Sequence, residues 1–363
     1  MAEAVEAGFR TLSDLEPAAA RKVPPPVWAY IQGGSGVERT LEHNLEAYRC
    51  WALRPKVLAG VSALELGTTL LSETVRAPFF VAPSAYQGLV HPGGETETAR
   101  AAARAGILAV YSTLSSRSLE DIANASGTGP RWFQLYLQPD FSVSRKLVER
   151  AAKAGFTAVV LTVDMPVIGV RDRQSEGGVA FDWSVPTGNG PDVVPPARSP
   201  VPEGRRFVLR PDAAATWEIV DRLRAVTDLP IVVKGILNAE DARHAVEHGA
   251  RAIVVSNHGG RQLDGAPASL EALPEVVAAV GAEVEVYVDG GIRRGSDVLI
   301  ALALGARGVG IGRPVLWALA AGGEAGVSHY LELMTHDLAV SMALVGRSRI
   351  AEVDRTLVAP RSP

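Results

Sequence analysis

The chain has 363 residues, of which 36 are Gly, 24 are Pro and 47% are apolar. That apolar share supports a sizeable core and excludes global disorder, while the aperiodic Gly and Pro exclude a collagen-like chain and point to many turns or close backbone approaches. The 36 Lys and Arg against 40 Asp and Glu give a net charge of -4, with no block of like charge, which argues against a nucleic-acid binder with its concentrated basic face.

A single cysteine, Cys50, excludes an internal disulfide and favours a reducing cytoplasm. The acidic start, Met1 to Glu6, lacks the apolar stretch of a signal peptide. No apolar run reaches the ~18 residues of a membrane span. The expectation is a cytoplasmic protein with no membrane partner.

Residues 1–70 read as an N-terminal extension with helices over Val27–Gln32 and Leu41–Trp51 and a short extended piece. Eight β-branched runs follow: Phe79–Ala82, Ile107–Val110, Trp132–Tyr136, Ala158–Thr162, Ile231–Val233, Ala252–Val255, Val284–Val288 and Gly308–Ile311. Each is nearly all apolar instead of alternating, as in parallel strands covered on both faces. Between them, Glu95–Arg104, Val143–Ala154, Thr216–Val226, Ala239–His248 and Arg294–Leu304 have helical composition.

Eight strand–helix units in about 250 residues match a (β/α)8 TIM barrel, with a doubly wound open sheet as the alternative. The whole chain, 1–363, reads as one domain with its barrel over 71–320. The stretch 172–211 after the fourth strand, rich in Pro and Gly, reads as a lid over the C-terminal face or as a solvated insertion. Residues 321–363 form a C-terminal helical segment, with apolar residues at helical spacing over Gly326–Val345.

Nearly every strand ends in a polar or glycine-rich cluster, and a barrel gathers these around one mouth. The clusters Asp289-Gly290-Gly291-Ile292-Arg293 and Gly310-Ile311-Gly312-Arg313 suit a phosphate, because glycines admit backbone N–H groups and an arginine follows each. No Walker A motif occurs, and Gly308 to Gly312 lacks the spacing of a dinucleotide fingerprint. His258, three residues before Arg261, can take a proton near neutral pH, and the arginine can clamp a carboxylate. Asp164, at the end of the fourth strand, can hold the imidazole. No histidine forms the carboxylate-paired set of a zinc site, so no metal is expected.

Thr162-Val163-Asp164, Lys234-Gly235, Ser256-Asn257-His258-Gly259-Gly260-Arg261-Gln262-Leu263-Asp264, Asp289 to Gly295 and Gly312-Arg313-Pro314 resemble the FMN-dependent α-hydroxy acid oxidase/dehydrogenase family, which includes glycolate, lactate and mandelate oxidases. The resemblance implies an FMN-binding (β/α)8 barrel, with His258 as base and Asp164 as its partner. It implies that Arg261, Arg171 and Tyr30 hold the substrate carboxylate, and that Tyr136 bonds the substrate hydroxyl or the developing carbonyl. Lys234 is implied beside the flavin ring, Ser84, Ala85, Ser115, Gln134, Thr162 and Ser256 around the cofactor, Asp289 at the ribityl chain, and Gly291, Arg293, Gly312 and Arg313 at the phosphate. A homo-oligomer, a tetramer by family analogy, is also implied.

Two departures bear on the substrate. Ser115-Ser116-Arg117 stands where many members carry Ser-Ser-Trp, and the larger Tyr86 follows Ala85, which points to an aryl pocket and to mandelate or 4-hydroxymandelate. Ala85, where some dehydrogenase members have Gly, points to O2 as acceptor with H2O2 as product. The alternatives are a glycolate or lactate oxidase, or a soluble dehydrogenase with another acceptor. An IMP dehydrogenase relative is disfavoured because its barrel-loop cysteine is missing. A non-catalytic phosphate-binding module is disfavoured because the base and clamp residues are all present.

Overall fold

The computed structural model describes residues 8–175, 187–194 and 214–361. All eight apolar runs form parallel strands: β1 (Phe79–Val81), β2 (Ala109–Ser112), β3 (Arg131–Leu135), β4 (Val159–Thr162), β5 (Ile231–Ile236), β6 (Ala252–Val255), β7 (Glu285–Asp289) and β8 (Gly308–Ile311). They pair in chain order, and β8 returns to β1 with Ile311 opposite Val81. The sheet therefore closes into a (β/α)8 barrel, and the open-sheet alternative is excluded. The helices around it are α1 (Glu95–Ala105), α2 (Leu119–Ser126), α3 (Phe141–Lys153), α4 (Glu218–Arg224), α5 (Ala239–Glu247), α6 (Ser269–Val280), α7 (Gly295–Ala303) and α8 (Arg313–Leu344). Among the described residues no helix is long and apolar enough to cross a membrane.

Alternate strand residues point in and out, so the strands carry two cores. Inside, Phe80, Val110, Trp132, Val160, Val232, Val254 and Tyr287 fill the barrel, and the Phe80, Trp132 and Tyr287 rings lie 5.7–6.2 Å apart. Outside, Val81, Tyr111, Phe133, Leu161 and Val288 pack in the larger core, together with apolar residues of the helices. A hairpin, Thr68–Leu70 with Glu73–Val75, adds Leu70 and Val75 to the interior cluster. Its Leu71 N–H donates to Tyr287 Oη, which joins the hairpin to β7.

Several boundaries differ from the expectations. β2 starts two residues late and runs to Ser112, because Ser112 Oγ donates to Gln134 Oε1 on β3 and the ladder continues through this polar residue. α2 and α6 lie where no helix was expected: the first is only 8 residues long, and the second contains Pro274. α8 begins at Arg313, earlier than Gly326, with a break at Gly322 and Gly323 that interrupts its periodicity. The helix expected over Leu41–Trp51 is Arg39–Arg49, since Trp51–Leu53 forms a strand with Val358–Pro360.

Of the expected lid over 172–211, residues 176–186 and 195–211 lie outside the described residues. The described piece 187–194 is anchored at the β2 side of the mouth, where Gly188 N–H donates to the Ser115 carbonyl and Asn189 Nδ2 to that of Thr113.

Candidate active site

A cavity opens at the C-terminal ends of the strands, with about 1320 Å³ of unfilled space including its mouth. Loops after β1, β2, β3, β4, β6, β7 and β8 line it, together with Lys234 of β5 and the Pro25–Gln32 helix on one side.

His258 follows β6 with φ of 59°, an uncommon conformation for a side-chain-bearing residue. Its Nδ1 lies 2.9 Å from Asp164 Oδ1, and its Nε2 lies 3.3 Å from Tyr136 Oη. The carboxylate on Nδ1 leaves Nε2 as the lone-pair nitrogen facing the cavity. Gly235 permits the approach of Asp164: its φ is 114°, and a Cβ there would lie 2.6 Å from Asp164 Cβ. Burial pushes the imidazole below its ordinary value and Lys234 adds to this, outweighing the pull of Asp164. Burial raises the Asp164 carboxyl, but His258 and Lys234 outweigh it and hold the group below the usual carboxylate range.

Lys234, at the bulge of β5, is buried, with Nζ 2.8 Å from Ser256 Oγ and 3.2 Å from Asp289 Oδ2. Burial disfavours its charge, but Asp289 and Asp164 outweigh burial, and the ammonium persists. Asp289 Oδ1 is buried without a hydrogen-bond partner among the described residues, so it offers an acceptor to a hydroxyl donor in the cavity.

Four guanidiniums reach the same cavity: Arg171, Arg261, Arg293 and Arg313. Arg261 Nη1 donates to the carbonyls of Tyr30 (2.8 Å) and Gly33 (2.6 Å), and its Cζ lies 5.1 Å from the Tyr30 ring centroid. Arg313 donates to the carbonyls of Ile31 (3.0 Å), Gly259 (2.9 Å) and Gly33 (3.0 Å). These carbonyls include the unsatisfied ones at a helix C-terminus, where cations are favoured. Among the described residues, Arg261, Arg293 and Arg313 form no ion pair with a carboxylate. Burial, then the charge of Arg261, pushes Arg171 down to about 9, and burial with Arg261, Arg293 and Arg171 pushes Arg313 well below its ordinary value. Such a cluster asks for anions, and an anion seated among the guanidiniums would offset their burial and mutual repulsion.

The glycine loops offer a place for one anion. Gly290 and Gly291 have φ of 95° and 86°, and a Cβ on Gly291 would lie 1.9 Å from the Asn44 carbonyl oxygen. Gly312 caps the N-terminus of α8 and faces open space, with nothing within 4 Å of a Cβ there. Open space before a helix N-terminus, beside Arg293 and Arg313, fits a phosphate. The orphan oxygen of Asp289 nearby fits a polyol, and the cavity as a whole fits a phosphorylated, hydroxyl-bearing cofactor such as FMN.

Of the expected site residues, Tyr30, Ser84, Ala85, Tyr136, Thr162, Arg171, Lys234, His258, Arg261, Asp289, Gly291, Arg293, Gly312 and Arg313 line the cavity. Asp164 and Ser256 stand one layer back, bonded to His258 and Lys234. Gln134 is also behind the wall, its Nε2 donating to Thr162 Oγ1 at 3.0 Å. Ser115 is fully buried and donates to the Ser112 carbonyl, so its hydroxyl is satisfied within its own turn. Leu114, Met165, Ile168 and Leu316 also line the cavity and were not anticipated, since an apolar side chain carries no chemical signal.

The family described as FMN-dependent dehydrogenase matches residues 19–360. The chain belongs to the FMN-dependent α-hydroxy acid oxidase family. Membership makes FMN the cofactor and oxidation of a 2-hydroxy acid the reaction class. The chain is 46% identical to an L-lactate oxidase of Nostoc sp., covering 91% of this chain and 92% of the relative. It is 45% identical to a peroxisomal (S)-2-hydroxy-acid oxidase of Oryza sativa subsp. japonica, covering 94% and 93%. A crystal structure of mandelate oxidase superposes with a TM-score of 0.87 at 44% identity, over 97% of this chain and 98% of that one.

Proposed function

We propose that the chain oxidises an aromatic (S)-2-hydroxy acid, mandelate or 4-hydroxymandelate, to the 2-oxo acid, with O2 reduced to H2O2. The observation that carries this reading is His258 held between Asp164 and Tyr136 at the edge of a cavity lined by four guanidiniums. FMN, when bound, supplies the acceptor for the two electrons that leave the substrate.

The remaining tasks fall to the protein. Arg261 and Arg171 clamp the carboxylate, with Tyr30 beside them. Tyr136 orients the substrate hydroxyl toward His258, whose Nε2 takes a proton, and Asp164 steadies the imidazolium that results. Lys234 with Ser256 would meet the flavin's polar edge, and Asp289, with its unpartnered Oδ1, would take the ribityl hydroxyls. Ser84, Ala85 and Thr162 would border the ring, with Gln134 holding Thr162 from behind and Ser115 bracing the Ser112 turn. Gly291, Arg293, Gly312 and Arg313 would hold the phosphate.

The aryl preference rests on Tyr86, buried at φ of 54°, which lines the cavity with Leu114, Met165 and Ile168. Arg117 does not compete for this space: it is exposed and donates to the carbonyls of Pro92 and Gly93. Anaerobic flavin reduction should therefore be faster with mandelate and 4-hydroxymandelate than with lactate or glycolate, and the reverse order would overturn the aryl reading. Tyr86→Ala should narrow the mandelate-to-lactate ratio by about 10-fold, the scale of one lost aromatic contact. Peroxide formed in air would support O2, whereas turnover only with an added acceptor dye would favour the dehydrogenase alternative.

A short-chain substrate is the second reading, favoured by the likeness to the Nostoc L-lactate oxidase. The chain is read as one catalytic domain acting in the cytoplasm as a homotetramer, and light scattering of the holoenzyme reports that assembly.

A further inference from the structure

We propose that Asn44, on the pre-barrel helix Arg39–Arg49, is a positioning residue: its amide pairs with that of Asn257 and fixes the turn that aims His258 into the cavity. The inference rests on the reading of His258 as the base. Asn44 is buried, and its Nδ2 donates to Asn257 Oδ1 at 2.9 Å while Asn257 Nδ2 donates to Asn44 Oδ1 at 2.8 Å. Two buried amides thus bond each other reciprocally, which fixes both rotamers and leaves neither polar end idle.

The same amides hold the backbone on both sides of His258. Asn257 Oδ1 accepts from Gly260 N–H at 3.0 Å, and Asn257 Nδ2 donates to the Pro267 carbonyl at 3.0 Å. Asn44 Oδ1 accepts from Ser269 N–H at 3.2 Å, while Ser269 Oγ accepts from Asn257 N–H at 3.1 Å. The turn from Asn257 to Gly260 is thereby tied to the start of α6 and to a helix outside the barrel. His258 needs such support, because its φ of 59° is one that side-chain-bearing residues rarely hold unless their surroundings dictate it. A small rotation of this turn would move Nε2 from its 3.3 Å contact with Tyr136. Proton transfer is sensitive to displacements of that size.

The Asn44 side chain does not line the cavity, and the Arg261 guanidinium is held by the carbonyls of Tyr30 and Gly33 instead of by this amide pair. The close approach to Gly291 is made by the Asn44 backbone oxygen, which substitution of the side chain leaves in place, while the side chain stands at an ordinary contact distance, 3.4 Å, from where a Cβ on Gly290 would lie. Loss of the amide should therefore slow the proton-transfer step and spare acid binding and FMN retention.

The experiment uses holoenzyme carrying Asn44→Ala, Asn257→Ala or both, with the fastest acid of the panel above. In Asn44→Ala the limiting rate constant of anaerobic flavin reduction should fall about 10- to 100-fold, the scale of a lost buried amide interaction, with acid dissociation constants within about 3-fold of the parent. The double variant should lose little more than the worse single one, as members of one network do. A rate constant within about 2-fold of the parent, a fall confined to acid affinity, or multiplicative losses in the double variant would each overturn the proposal.

Asn44→Asp keeps the side-chain volume but sets two acceptors face to face, and it should show the same rate loss. It decides the matter if Asn44→Ala does not fold with FMN. Failure of both variants to take up FMN would overturn the proposal, because Asn44 would then support the cofactor loop. His258→Ala in parallel separates the two levels of the argument. Unimpaired reduction there removes the base reading itself, whereas impaired reduction there with unimpaired Asn44 variants removes only this inference.

Discussion

In His258→Ala, the rate constant for flavin reduction should fall by about 10²- to 10⁴-fold, the usual contribution of a positioned base. The titratable groups next to the imidazole are poor substitutes. Asp164 lies behind the imidazole with its carboxyl held below the usual range, and Lys234 stays protonated between Asp289 and Asp164. The base must be neutral to act, so the rate rises with pH through the His258 ionisation. Burial, reinforced by Lys234, sets that ionisation below its ordinary value near 6.5, and the rising limb should lie on the acid side of it. Asp164→Asn removes the one nearby group that draws the imidazole's pKa upward. The limb should then shift to still lower pH while the plateau rate falls, because the imidazolium loses its partner. Stopped-flow reduction across pH 4–8 or so checks both signs, and undiminished reduction in His258→Ala would exclude the base role.

The barrel was legible because its strands are buried on both faces. Phe79–Val81 and Ala252–Val255 have no polar positions, and that pattern needs no tertiary information. The mouth was legible for a related reason: polar residues crowd the C-terminal strand ends, and a closed barrel brings them together. What escaped reading depends on contacts distant in sequence. The carbonyls of Ile31 and Gly33, which hold Arg261 and Arg313, have no side-chain signature. Asn44 reads as one more polar residue on an amphipathic helix until its 213-residue separation from Asn257 is closed by folding. Ser115 carries a hydroxyl at a strand end like its neighbours, and only the turn geometry shows that this hydroxyl is spent on Ser112. α6 escaped because Pro274 ordinarily argues against a helix interior, although a buried face including Leu270, Leu273 and Val276 holds it in place.

Replacing Arg261 by Met should weaken binding of the 2-hydroxy acid by about 10²-fold or more, since truncating one partner of a buried, charge-assisted pair commonly costs 2–5 kcal/mol. The loss should appear chiefly in kcat/KM and in the dissociation constant of the 2-oxo acid product. A neutral 2-hydroxy amide, which offers no carboxylate, should be affected far less, and that contrast separates charge recognition from general damage to the site. Arg261→Lys tests the planar fork. Arg261 spends Nη1 on the carbonyls of Tyr30 and Gly33 at 2.8 and 2.6 Å, and a single ammonium cannot hold that helix end while also facing a carboxylate. The lysine variant should therefore recover only part of the acid affinity. The loss should not come from a collapse of the helix end, because Arg313 still donates to the carbonyls of Ile31 and Gly33. Equal losses for the acid and the amide would show that Arg261 acts through the helix end alone. An acid affinity unchanged in Arg261→Met would move the clamp to Arg171, whose charge is already disfavoured by burial and by Arg261 and would be less so once that neighbour is gone.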